Sequence, residues 1–194
     1  MTTLVTGFEP FGGLQVNTSQ LVATAVAAGG RRHLAAAVLP TSYRGAEAQI
    51  TQLLRRHRPR AVILLGLAAK QAEVRLEQVA LNLDDSASAD NDGEVRLRRR
   101  IVEAAPVGYW STLALEQMAE DARRLGEAVG FSHDAGGYVC NHAFFIAMHR
   151  VKIEFPETRC GFVHLPLVHE PSPRLERLVD LVRIWVDRSI EQEG

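Results

Sequence analysis

Five consecutive residues, Ala61-Val62-Ile63-Leu64-Leu65, offer no polar side chain to either face of an extended strand. Successive side chains of a strand point to opposite faces, so such a run is satisfied only in a sheet covered on both sides. Pro59 precedes it and Gly66 ends it, which bounds it at strand rather than helix length. The neighbouring sequence supplies the covers. Tyr43 to His57 carries Ala46, Ile50, Leu53 and Leu54 on one stripe with arginines opposite, an amphipathic helix. Leu4-Val5-Thr6, ended by Gly7, and Leu34 to Leu39, closed by Pro40, read as two further strands. Between them Asn17 or Thr18 can cap a helix that runs to about Ala28 and stops at Gly29-Gly30. Arg159 to Leu165 reads as the last strand, stopped by Pro166. Ser172 caps a final helix, with Pro173 suited to its first position and Leu175, Leu178, Val182 and Trp185 facing inward. Strands alternating with helices imply an α/β protein: a three-layer α/β/α sandwich around a twisted, largely parallel mixed sheet, in a single domain over 1–194.

The middle of the chain is less regular. Val74 to Leu83 is extended but mixed, and Glu77 shares the parity of Val79, Leu81 and Leu83. A regular strand there would turn this carboxylate onto an apolar face, where desolvation demands a partner or a raised pKa. Asp84 to Gly93 is polar and reads as an exposed loop, and Arg96 to Val102 as an edge strand. Ser111 or Thr112 opens a helix that buries Leu115, Met118, Ala122 and Leu125.

Composition narrows the function. A formal net charge of −1 argues against a nucleic-acid partner, and the short arginine clusters read as solvated edges. No apolar run approaches the roughly 20 residues that span a bilayer, so no membrane role is expected. The opening Met1 to Thr6 has neither the basic nor the apolar region of a signal peptide. Cys140 and Cys160 are the two cysteines of the chain, too few for a disulfide framework, so a reducing, cytoplasmic setting is expected.

Chemistry concentrates at Ala135-Gly136-Gly137-Tyr138-Val139-Cys140-Asn141-His142. Two glycines allow a tight turn, and the apolar residues from Val139 to Met148 read as a helix, so Cys140 lies in its first turn. Unpaired backbone N–H groups and the dipole's positive end favour an anion there, and the thiolate is the nucleophilic form. A buried cysteine packed as a small hydrophobe is the competing reading. Of seven histidines, His164 ends an apolar strand and is the best candidate for a base, with His133 and His169 as rivals. His142 lies two positions after Cys140 and should face away from it. The loop Phe8-Glu9-Pro10-Phe11-Gly12-Gly13 places two phenylalanines among turn formers, either folded into the core or walling a pocket. In parallel α/β sheets, sites form beyond the carboxyl ends of strands. This loop, Gly66 to Gln71, the Cys140 turn and His164 could all gather at that edge.

Four segments together are specific: Thr6-Gly7-Phe8-Glu9-Pro10-Phe11-Gly12-Gly13 with Asn17, Leu76-Glu77-Gln78-Val79-Ala80-Leu81-Asn82, Ala135 to Asn141, and Phe162-Val163-His164-Leu165-Pro166. In order and spacing they resemble the pyroglutamyl peptidase I, or pyrrolidone-carboxylate peptidase, family of cysteine peptidases, over nearly the whole chain. The resemblance implies Cys140 as nucleophile, His164 as general base and acid, and Glu77 as the group that orients His164. It puts Phe8 and Phe11 around a lactam ring with Asn17 in support, and Gly66 and Gln71 among the substrate-binding positions. The implied activity is hydrolysis of the amide after an N-terminal pyroglutamyl residue through a thioester, with no metal or organic cofactor, in a homo-oligomer (dimer or tetramer). The chain departs from bacterial members at Lys70-Gln71, where they carry Gly-Arg, at Gln78 and Ala87, where they carry arginine, and at Asp134, a usual serine. A Cys-His-Glu amidase with a changed acyl group, and a peptide-binding homologue without turnover, are the alternatives.

Overall fold

The computed structural model describes residues 2–191. Its main sheet has six strands: β1 (Thr3–Phe8), β2 (Leu34–Leu39), β3 (Ala61–Leu67), β4 (Val74–Glu77), β9 (Val129–Ser132) and β10 (Arg159–Leu165), in the order β2-β1-β3-β10-β4-β9. All neighbours pair in parallel except β10 with β4. Two short ribbons lie outside it, β5 (Val79–Leu81) with β8 (Gly108–Trp110) and β6 (Asp84–Ser86) with β7 (Arg96–Arg99).

The apolar run from Ala61 to Leu65 divides between two cores. Leu4, Val62, Leu64 and Phe162 face helices α2 (Tyr43–His57) and α4 (Val139–Glu154). Val5, Ile63, Leu65 and Val163 face α1 (Thr18–Ala28), α3 (Leu115–Arg124) and α5 (Pro173–Glu191). These are the three layers expected. Helix α4 is buried on nearly every side, from Val139 through Val151, because it lies between the sheet, α2 and the β5–β8 ribbon. No helix among the described residues is long and apolar enough to cross a membrane.

Several local readings are corrected. Gly66 does not end β3, which continues to Leu67. The glycine is there for space: a Cβ would lie 2.6 Å from Phe162 Cζ and 3.0 Å from His164 Cδ2. The extended stretch after Val74 is not one strand. It breaks at Gln78, whose N–H donates to Ser132 O and whose carbonyl accepts from Ser111 N, so β4 and β5 belong to different sheets. Ala80 rather than Val79 or Leu81 is the buried residue of β5, so the parity that linked Glu77 to them does not hold. Asp84 to Gly93 is not simply exposed: Asp84 opens β6 and is buried, and buried Asp90 accepts from the backbone N–H groups of Tyr43, Asp92 and Glu94. The edge strand is shorter than Arg96 to Val102, because Asn82 Oδ1 takes the Ile101 and Val102 amides out of the ladder. Helix α3 starts at Leu115, with Leu115 and Leu125 half-buried rather than inside.

Candidate active site

Cys140 is the second residue of α4, half-buried at the helix mouth. The preceding turn is tightly specified. Gly136 has φ of 82°, a left-handed conformation that a side chain disfavours. Gly137 runs so close to the β6–β7 ribbon that a Cβ would lie 2.2 Å from Asp85 O. The Asp134 carboxylate accepts from Gly136 N at 2.8 Å, so its side chain shapes the turn through the backbone. Tyr138 caps the helix in an extended conformation with no side-chain cap bond. Asn141 fastens the helix start to β5: its amide donates to the carbonyls of Leu81 (2.9 Å) and Leu83 (2.8 Å), and its Oδ1 accepts from Leu81 N.

His164 and Glu77 meet through sheet register. Antiparallel pairing sets Glu77 opposite Phe162 and Arg75 opposite His164. Paired residues share a face and diagonal neighbours lie within reach of long side chains, so His164 and Glu77 both point toward α4. The bond is short, His164 Nδ1 to Glu77 Oε1 at 2.8 Å, and the Glu77 side chain is fully buried. Glu77 Oε2 has no hydrogen-bond partner among the described residues. Nδ1 being occupied by Glu77, Nε2 remains free to face the Cys140 side chain, which is near enough to raise the ring's pKa. Burial works against a charged ring here, but Cys140 and Glu77 outweigh it and push the His164 pKa up to about 9. The ring therefore holds its proton at neutral pH, beside the sulfur. Phe162 packs against it at 4.8 Å between ring centroids, with Phe8 and Phe144 behind, which keeps water away from the pair.

The glycine at 66 is part of this construction. Gly66→Ala is expected to push the Phe162 and His164 rings out of register, costing about 1–3 kcal/mol by overpacking and lowering turnover with it. Thermal unfolding and steady-state rates check this; a variant with wild-type values for both would contradict it.

The remaining expected positions fall into separate groups. Phe8 is 1% exposed and belongs to the core. Phe11 is half-buried and lies at 5.7 Å between ring centroids from Tyr138, which stands two residues before Cys140 in sequence. Asn17 is fully buried: its Oδ1 caps α1 through Ser19 N and accepts from Ser19 Oγ, while its amide holds the Glu9 carbonyl. It therefore acts on the loop's shape. Gly66 pairs with His164 across β3 and β10. Gln71 is exposed on the turn after β3, its N–H bonded to Ala68 O. Of the rival histidines, His133 is exposed against Trp110, and His169 is exposed on the loop after β10. His142 turns away from the thiol onto Asp84.

Tyr138 and Asn141 stand out in the sequence only as members of a motif. Tyr138 is the aromatic centre of the turn, touching Phe11 and Tyr43 and donating from its hydroxyl to Ala89 O. An aromatic side chain between the glycines and the cysteine was the available signal. Nothing local marked Asn141 as an anchor, since its partners lie some sixty positions away.

This geometry has relatives. A family model described as pyroglutamyl peptidase matches residues 1–176. The pyrrolidone-carboxylate peptidase of Gloeobacter violaceus is 39% identical over 178 residues, covering 90% of this chain and 85% of its own. That of Bacillus cytotoxicus is 32% identical, covering 99% and 94%. Among solved structures, pyroglutamyl peptidase I from Bacillus amyloliquefaciens superposes with a TM-score of 0.90 at 28% identity, over 100% of this chain and 96% of its own. A mutant pyrrolidone carboxyl peptidase from Pyrococcus furiosus gives 0.92 at 26% identity, over the whole of both chains. A sheet that carries His164 and Glu77 on one face, a helix that opens on Cys140 and matches over the whole length lead to one conclusion: the chain belongs to the pyroglutamyl peptidase family of cysteine peptidases.

Proposed function

We propose that Cys140, His164 and Glu77 carry out the hydrolysis that removes an N-terminal pyroglutamyl residue, by way of a thioester on Cys140. The Cys140 thiolate, paired with the His164 imidazolium, attacks the carbonyl carbon of the amide after the lactam, and the resulting oxyanion forms at the mouth of α4. The backbone N–H groups there have no intrahelical partners, and a well-placed donor is worth roughly 3 kcal/mol. The His164 imidazolium gives its proton to the leaving amine as the carbon–nitrogen bond breaks. The neutral ring then takes a proton from the water that attacks the thioester, and pyroglutamate leaves with Cys140 restored. Glu77 keeps the ring in one tautomer and supports its charge. Pyroglutamate carries no charged amino group, so a wall of Phe11 and Tyr138 suits it better than an ionic pocket.

The observation that supports this reading most is the 2.8 Å bond from His164 to buried Glu77, with the Cys140 side chain near enough to raise the imidazole's pKa. The single chain of 194 residues acts as one unit in it. Two unpaired thiols, one of them a nucleophile, favour a reducing cytoplasmic setting. Exposed Val107 and Trp110 on the β5–β8 side favour a homo-oligomer, dimer or tetramer, which light scattering would reveal.

Release of a fluorophore from a pyroglutamyl amide is the direct test, with prolyl and glutamyl amides beside it. Cleavage confined to the pyroglutamyl compound is expected. Preference for another acyl group would move the chain to the amidase reading, and binding without release to the peptide-binding one.

A further inference from the structure

A second buried ionic group lies under the same helix and takes no part in the chemistry above. His142 and Asp84 are 1% and 0% exposed. His142 Nδ1 lies 3.0 and 3.2 Å from the two oxygens of Asp84, and Nε2 faces Glu47 of α2 at 3.7 Å. Asp84 also receives Arg96 Nη1 of β7 at 2.9 Å. Arg96 in turn bonds Glu94 and lies over the Tyr43 ring at 4.4 Å. Buried charge costs several kcal/mol per ion unless it is fully partnered, so an arrangement drawn from four elements calls for a use.

Its position suggests one. Asp84 opens the β6–β7 ribbon, and this ribbon forms the outer wall of the cysteine turn: Asp85 N donates to Gly137 O at 2.9 Å, and Ala89 O receives the Tyr138 hydroxyl. His142 belongs to the first turn of α4, and its backbone N–H donates to Tyr138 O. We propose that His142 is a positioning residue for Cys140: bonded to Asp84, it clips the β6–β7 ribbon onto the start of α4 and so fixes the turn from Gly137 to Cys140. The clip touches neither substrate nor reacting atoms. Its contribution to turnover rests on the function proposed above, but its contribution to the placement of the thiol does not. Burial opposes a charge on His142, but the Asp84 and Glu47 carboxylates outweigh it and raise its pKa; the hydrogen bond itself runs from Nδ1 to Asp84, while Nε2 stands 3.7 Å from Glu47.

The test compares His142→Asn, His142→Gln and His142→Leu. An asparagine amide can stand where Nδ1 stood and keep the bond to Asp84, whereas a glutamine amide reaches the Nε2 position and leaves Asp84. Three readouts are taken: kcat and KM on a pyroglutamyl amide, the thermal midpoint, and the rate at which iodoacetamide alkylates Cys140, mapped by mass with buried Cys160 as internal reference. Displacing a reacting group by about 1 Å costs up to ~100-fold. The expected result is therefore a kcat loss of about tenfold or more for Gln and Leu with KM nearly unchanged, a matching change in Cys140 alkylation, and Asn close to wild type. Rescue by Asn at a thermal midpoint equal to that of Gln separates positioning from bulk stability. Wild-type kcat and alkylation in the Gln variant, or equal losses in Asn and Gln, would overturn the proposal. If the Leu variant fails to fold, Asn against Gln still decides. A wild type that cleaves no pyroglutamyl amide would defeat the proposed function, while the alkylation series would still judge the clip.

Discussion

Cys140→Ala is expected to lower kcat/KM for a pyroglutamyl amide by at least ~10⁴-fold, since loss of a nucleophile removes the covalent route entirely. The fold should survive. The side chain is half-buried at a helix start, packed against the edge of a core rather than inside it, so the change in unfolding free energy should stay within about 1 kcal/mol. Circular dichroism and denaturant titration would measure that, and progress curves at high enzyme concentration the residual rate. Cys160 provides the contrast. It is 0% exposed, and burial pushes its thiol far up from the ordinary range, so it is inert as a nucleophile. Cys160→Ala should retain the activity that Cys140→Ala loses; the opposite pattern would move the chemistry to the wrong sulfur.

Glu77→Gln should reduce kcat by about 10²–10⁴-fold with less effect on KM, because an amide can hold the imidazole in the wrong tautomer and cannot support its charge. The pH profile sharpens this. His164 holds its proton up to about 9, and in the proposed mechanism that proton goes to the leaving amine. Activity should therefore fall on an alkaline limb near pH 9 in the wild type, as the imidazolium is lost. Glu77 is among the groups that raise this value, through its hydrogen bond and its charge. Removing the charge favours the neutral ring, so the limb should move to lower pH in Glu77→Gln. A limb that stays in place, or moves up, would reduce Glu77 to a packing role. Gln78 is a useful control, since it follows Glu77 but its backbone is committed to Ser132 and Ser111; Gln78→Ala should leave the limb where it is.

How much of this could be read from the chain depends on how local the cause is. Strand Leu34–Leu39, helix Tyr43–His57 and strand Arg159–Leu165 were legible to the residue, because apolar periodicity runs between prolines and caps that act over a few positions. The two ribbons were not. Their strands are three or four residues long and are held by Asn82 and Asn141, whose side-chain amides serve backbone groups far away in sequence. Glu77 illustrates a mixed outcome. Its burial against apolar neighbours was legible, but those neighbours are Phe162 and His164 across an antiparallel pair, not residues along its own strand. Strand direction inside a sheet leaves no mark on a four-residue segment. Gly66 misled for a related reason: a glycine that yields space to the Phe162 ring is indistinguishable in sequence from one that ends a strand. Asp84 read as loop because the histidine and arginine that neutralise it lie 58 and 12 positions away.

For the site, residue chemistry alone left His133 and His169 open, and the whole-length resemblance selected His164. The two phenylalanines of the first loop read alike in sequence, yet Phe8 lies in the core and Phe11 against Tyr138. That division depends on how the loop is tied down through Asn17 and Thr41 to the Glu9 carbonyl, a set of bonds no periodicity encodes.

The central claim is a covalent intermediate on one sulfur. An aryl ester of pyroglutamate should acylate the enzyme faster than water clears it, and an acid quench would preserve the thioester for peptide mass mapping. The pyroglutamyl group is predicted on the peptide that carries Cys140 in the wild type and nowhere in Cys140→Ala. A label on Cys160 or elsewhere, or turnover with no label on Cys140, would contradict the account.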